Sequence, residues 1–231
     1  MGKSHPKKLT VRDILRGVVP EPLRVIPRKL GGRILDRFYG IRTEGWYRLK
    51  ASDRHEARHD DGISYQPCPY RLLWAVLKRL PATPDDVFYD LGCGKGRVLC
   101  AYAASGRFRK CVGVELVTAL AEAARRNASL VRAKSPIVVI GGDAAAADLR
   151  DGTVFFFHNP FGTETIGTVL RNLEATWDGR RIWIACCGLY PEKPFDACSW
   201  LERHSSSGRI AIWKSISGRV PAGDQVPGAS R

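Results

Sequence analysis

With 231 residues, 44% of them hydrophobic, the chain is long enough for one domain with a sizeable core plus an extension. No run of about 18 apolar residues occurs, so no membrane-spanning helix is expected. Seven cysteines without zinc-ligand spacing, and no signal peptide, point to a reducing compartment, taken as cytoplasmic, and to no bound metal.

The net charge of +14 is uneven, because residues 1–60 carry fifteen basic against seven acidic residues. That arm suits an acidic partner such as nucleic acid or an anionic lipid surface, or else is a solvated extension. Within it, Leu9, Val11, Ile14, Leu15 and Val18, and then Leu30, Ile34, Leu35, Phe38 and Tyr39, recur at helical spacing, with Pro20, Pro22 and Pro27 breaking the arm in two. Residues 55–59 read H-E-A-R-H, a zinc-binding pattern when it lies on a helix. Residues 52–62 are almost all polar, with no apolar face to bury such a helix, so a solvated loop is expected there. A helix over residues 71–80 follows the segment 64–70, S-Y-Q-P-C-P-Y.

Residues 87–96, V-F-Y-D-L-G-C-G-K-G, carry the most information. A short apolar run ends in Asp90, passes through Gly92, Gly94 and Gly96 (with Cys93 between the first two), and gives way to a helical pattern. Strand, glycine turn and helix in this order form a nucleotide-binding crossover, in which glycine lets the backbone turn and a ligand approach. The register is wrong for a dinucleotide fold, whose third glycine position is taken by Arg97, and no phosphate-cradling G-x-x-x-x-G-K-[ST] string exists. An acid just before the loop disfavours a pyrophosphate and suits a ligand bearing an ammonium group.

The pattern then repeats. A second apolar run, residues 111–114, ends in Glu115, placed like the ribose-hydroxyl acceptor of crossover folds, and a helix is expected over 116–130. A third run over 136–140 leads to Gly141, Gly142, Asp143 and Ala144; a fourth over 154–157 ends in His158, Asn159, Pro160, Phe161 and Gly162; a fifth spans 182–187. Unbroken apolar runs are expected of parallel strands buried on both faces. Cys186 and Cys187, adjacent on a strand, face opposite sheet surfaces and cannot share a metal. Residues 200–213 read as a hairpin turning at 205–208, and a tail over 218–231 rich in Gly and Pro reads as disordered.

D-x-G-x-G-x-G with an acid at the strand end resembles the first motif of class I S-adenosylmethionine (SAM) methyltransferases, and the resemblance covers residues 65–215. It implies an α/β, Rossmann-like three-layer sandwich with a mostly parallel seven-stranded sheet and a C-terminal antiparallel hairpin. It implies a SAM-dependent methyltransferase domain over 61–217, preceded by a basic, partly helical extension over 1–60 that is a possible lid. The cofactor would be S-adenosyl-L-methionine, leaving as S-adenosyl-L-homocysteine. Its site would be built from Asp90, Gly92, Cys93, Gly94, Gly96, Glu115, Asp143, Ala144 and Asn159, with Tyr65 as cover. In similar enzymes an acid at the Asp143 position meets the adenine amino group. His158, Asn159, Pro160 and Phe161 resemble a shortened N-P-P-Y motif of amino-methyltransferases, one proline short. They are also similar to the Asn-Asn-Phe segment of the non-SET histone-lysine methyltransferases. Both resemblances imply a nitrogen acceptor: a protein side chain such as lysine, a small-molecule amine, or, by the alternative reading, RNA or DNA held by the basic arm. Phe161 and Tyr190 are candidate apolar walls, and His158 is a candidate proton acceptor.

Overall fold

The computed structural model of the protein describes residues 31–54, 57–189 and 191–216. The expectations for the earlier arm, for His55, Glu56 and Tyr190, and for the tail lie outside the described residues.

The five apolar runs form parallel strands: β1 (Val87–Leu91), β2 (Lys110–Glu115), β3 (Ile137–Gly141), β4 (Val154–Phe157) and β5 (Trp183–Cys187). A closing hairpin adds β6 (Leu201–Ser207) and β7 (Ile210–Ser215). The seven strands lie in one sheet in the order β3-β2-β1-β4-β5-β7-β6, and only β7 runs antiparallel to its neighbours. β1, β4 and β5 are buried along their whole lengths, as runs covered on both faces require. β3 departs from that rule. It is the edge strand, and Val138 is 41% exposed. The hairpin turns later than its composition suggests. Ser205 to Ser207 stay in β6, and the two-residue turn is Gly208-Arg209, where Gly208 (φ +61°) supplies the backbone twist a tight hairpin needs.

Six α-helices complete the described residues: α1 (Gly31–Tyr39), α2 (Tyr70–Arg79), α3 (Arg97–Ser105), α4 (Thr118–Leu130), α5 (Thr163–Ala175) and the one-turn α6 (Lys193–Asp196), with a 3₁₀ turn at Ala51–Arg54. Two apolar cores sandwich the sheet. One joins Phe88, Phe156, Ala185 and Cys187 to α2 and α3; the other joins Tyr89, Phe155, Phe157 and Cys186 to α5 and α6. Cys186 and Cys187 therefore do face opposite surfaces. Each buried phenylalanine of β4 contributes about 1.5–3 kcal/mol by burial.

This topology fixes the site. The strand order reverses at β1: β2 and β3 follow on one side of it, and β4 and β5 lie on the other. Crevices for ligands open at the carboxyl ends of the strands where that reversal occurs.

Candidate functional site

A cleft of about 940 Å³, its open mouth included, lies over the carboxyl ends of β1, β2 and β4. Asp90, Gly92, Cys93, Glu115, Asp143, Ala144, Asn159 and Tyr65 all line it, together with His158, Pro160 and Phe161. Gly94 and Gly96 do not; they shape the loop from behind. Gly94 (φ +56°) lies so close under the Tyr65 ring that a Cβ there would sit 2.2 Å from it. Gly96 (φ +78°) lets the start of α3 approach Ala124 of α4, where a Cβ would come within 3.2 Å of the alanine methyl. At Gly92 (φ +77°) a Cβ would meet Pro160 at 2.4 Å. The glycines thus allow three close approaches as well as one turn.

Three carboxylates stand at the ends of three adjacent strands. Asp90 is buried, and burial, with the Glu115 charge adding to it, pushes its carboxyl up to about 8. Glu115 is buried too, and burial raises its pKa. Backbone N–H groups of Gly94 (2.7 Å) and Val117 (2.9 Å) donate to its two oxygens and oppose the rise. Those bonds fasten the glycine loop to the start of α4 and leave each oxygen a lone pair toward the cleft. Asp143 accepts from Ala145 N–H at 2.8 Å and from Arg58 N–H at 2.7 Å, so it ties the upstream segment to the rim.

That segment is more ordered than its composition suggests. His59 Nε2 lies 2.8 Å from Thr168 Oγ1, and Asp61 caps α5 by accepting from the N–H groups of Glu164 and Thr165 at 3.0 Å each. Gly62 pairs with Phe161, and Tyr47 with Tyr65, in isolated antiparallel bridges. The described part of the expected solvated loop is docked against the domain, because His59 and Asp61 bind side-chain and backbone groups of α5. Tyr65 is held over Gly94 by donating from its hydroxyl to Thr43 O at 2.6 Å.

After β4, Asn159 is the one described non-glycine residue with positive φ (+48°), a conformation that asparagine tolerates better than most residues. Its Oδ1 accepts from Leu189 N–H at 2.7 Å, so the exits of β4 and β5 are clamped together. A Cβ at Gly188 would collide with that oxygen at 2.5 Å. Phe161 packs edge-on against Phe157 and forms an apolar wall. His158 lies near Cys68; burial acts to lower its pKa, and the Cys68 sulfur raises it by more.

No local sequence pattern points to Arg97's part. Its Nε donates to Thr43 Oγ1 (2.6 Å), Nη1 to Cys68 O (3.2 Å) and Nη2 to Glu44 (2.7 Å); Nη2 also pairs with the buried Asp36 carboxylate (3.2 Å). Its guanidinium lies 4.7 Å from the Tyr70 ring centre. One side chain, rooted just after the glycine loop, thus binds α1, the irregular segment at 43–44 and the start of α2 beside the cleft. Leu116, Val117 and Leu120, apolar residues beyond Glu115, also line the cleft and offer a flat ligand a greasy slot.

Comparison with known proteins agrees with this picture. The family described as "Histone methylation protein DOT1" matches residues 64–155, which takes in the glycine loop and the first three strands and stops short of His158 to Phe161. A protein-lysine N-methyltransferase of Saccharolobus islandicus is 28% identical over 92 residues, 40% of this chain and 57% of the relative, so the match spans little more than half of that protein. An RNA methyltransferase from Salinibacter ruber, solved with S-adenosyl-L-homocysteine, superposes with a TM-score of 0.53 at 21% identity, over 68% of this chain and 97% of that one. In fold the chain is a Rossmann-like α/β domain of the kind seen in class I methyltransferases, and over residues 64–155 its sequence is similar to the DOT1 family.

Proposed function

We propose that the protein is a SAM-dependent N-methyltransferase whose acceptor is an amine, with a protein lysine as the first choice, and that residues 61–217 form its catalytic domain. The observation that carries this reading is the row of acids over one cleft: Asp90, Glu115 and Asp143 at the ends of β1, β2 and β3. A ligand with an ammonium, a ribose diol and an aminopurine, in that order, matches them; a pyrophosphate would meet negative charge. The buried Asp90 carboxyl, raised to about 8, is a group in want of a cation. Gly92 provides the cradle, since any side chain there would fill the space beside Pro160. SAM bound here supplies a methyl group on a sulfonium, ready for in-line displacement.

The chain's own residues then position and exclude. Asp90 holds the ammonium, Glu115 accepts from the ribose hydroxyls, and Asp143 with Ala144 borders the base. Tyr65 covers the loop. Asn159 and Pro160 present the strand-end turn at the transfer end, with the Asn159 amide nitrogen and backbone carbonyl directed by the Leu189 clamp. Phe161 supplies a dry wall beside which a lysine ammonium loses its proton more readily, because desolvation disfavours its charge. Positioning of this kind accounts for most of the catalysis that such a displacement needs. The lysine relative supports a protein acceptor. The charge of +14 supports trying nucleic acid in the same experiment.

That experiment is transfer from methyl-tritiated SAM to lysate fractions separated into protein, RNA and small molecules. Label is expected in protein, on lysine nitrogen after hydrolysis. Label confined to RNA would replace the acceptor, and label only on oxygen or carbon would overturn the N-methyl assignment.

A further inference from the structure

Two of the seven cysteines, without ligand spacing in sequence, converge in space with one histidine. Cys68, His158 and Cys187 bring one ligand atom each to within 4.8 Å of one another, and the two sulfurs are 3.8 Å apart. We propose that these three residues bind a zinc ion at the transfer end of the cleft, beside Asn159.

The convergence follows from the topology. Phe157 of β4 pairs with Cys186 of β5, so the next residues, His158 and Cys187, stand side by side at the ends of parallel neighbours. Phe157 and Cys186 both belong to the core on the α5 side. Strand alternation therefore turns Cys187 to the α2 side, where it packs, and His158 with it. Cys68, two residues before α2, packs on that same side and completes the triangle.

Tetrahedral zinc with Zn–S bonds of about 2.3 Å has ligand sulfurs about 3.8 Å apart, which is the separation found here. A sulfur pair in a disulfide would be far closer. Two thiolates and one imidazole neutralise a divalent ion, so the filled site carries no net charge into a buried setting where an unbalanced charge is costly. Soft thiolate ligands select zinc over magnesium or calcium. Among the described residues, the Cys68 thiol lies 3.8 Å from the Cys187 sulfur and from Pro69 O, with the His158 ring nearby. Cys68 and His158 both line the cleft, so the fourth coordination position belongs to water or to a donor atom arriving there. His158 is then a ligand, and the proton lost by the acceptor passes to solvent at the mouth. The site does not depend on the methyltransferase reading.

The test is metal analysis of the whole chain, purified under reducing conditions and dialysed after incubation with zinc chloride. About one zinc per chain is expected, falling at least fivefold in Cys187→Ser. Cys187 does not line the cleft, so SAM binding by calorimetry should persist in that variant and shows that it is folded. A second measurement needs no variant: cobalt(II) added to metal-free wild type should give the intense red-region absorption of tetrahedral cobalt and a near-ultraviolet thiolate-to-metal band. Wild-type protein that retains no zinc and gives only the faint spectrum of octahedral cobalt would overturn the site, whatever its affinity for SAM. Zinc retained in full by Cys187→Ser would overturn it as well.

Discussion

Arg97→Leu is expected to lower the free energy of unfolding by about 3–5 kcal/mol, read as a shifted midpoint in urea denaturation. Asp36 is the reason. Its carboxylate is buried, with Thr43 N–H at 2.7 Å, Thr43 Oγ1 at 2.8 Å and Tyr70 OH at 2.7 Å as neutral donors, and Arg97 as its buried positive partner. Leucine would leave that charge in the core uncompensated, which costs more than the pair itself contributes. Three further bonds, to Thr43, Glu44 and Cys68, would go with it. Arg97→Lys keeps the charge but not the planar fork, so it should fall between the two. Adding Asp36→Asn to Arg97→Leu should restore part of the loss, because the orphaned charge is then removed. A change below about 1 kcal/mol for Arg97→Leu would mean that water reaches Asp36 and that the network does not anchor α1.

Asp90→Asn is expected to weaken SAM binding by about 2–5 kcal/mol, roughly 30-fold to several thousand-fold in Kd. The wild type should also carry a pH signature that the variant lacks. With its carboxyl raised to about 8, chiefly by burial, Asp90 is protonated in the free protein at pH 6–7 and must ionise to receive an ammonium. Binding then releases a proton, and the wild-type Kd should fall about tenfold per pH unit between 6 and 7. The gain should stop near pH 8, where Asp90 is already ionised and the ligand's own amino group, with a pKa of about 7.7–8.0, loses its charge.

The same shift has a stability consequence of opposite direction. Between the unfolded value near 3.8 and the folded value near 8, the folded chain holds one proton more than the unfolded chain at this residue. The Asp90 contribution to ligand-free stability is therefore full below that window and declines as pH rises through it. Asp90→Asn should flatten that decline. A pH-independent SAM affinity in the wild type would show that Asp90 does not meet the ammonium.

Why some of this was legible in sequence and some was not is a matter of distance along the chain. β1, the glycine loop and α3 announce themselves because an apolar run, positive-φ glycines and a helical period are local properties of residues 87–105. Glu115, Asp143 and Asn159 follow because each ends an apolar run, and parallel strands bring their ends to one edge. The edge position of β3 was not legible, since its sequence is as apolar as that of a central strand. In the sequence Arg97 stands out only as the residue where a dinucleotide fold has glycine. Its hydrogen-bond and ion-pair partners lie 29 to 61 residues away, where no periodicity points. Cys68 and Cys187 are 119 residues apart, so ligand spacing was blind to them. The docking of 57–65 depends on Asp61 capping a helix that begins at Thr163, again a pairing without a local signature.

The cleft at the ends of β1, β2 and β3 is the proposed SAM site. Titration calorimetry with SAM and with S-adenosyl-L-homocysteine tests this most directly. Binding at about one ligand per chain with a micromolar Kd, about −8 kcal/mol, is predicted, and Glu115→Ala should weaken it at least tenfold by removing the ribose acceptor and the Gly94 tether. No detectable binding of either compound by folded wild-type protein at pH 8 would contradict the assignment.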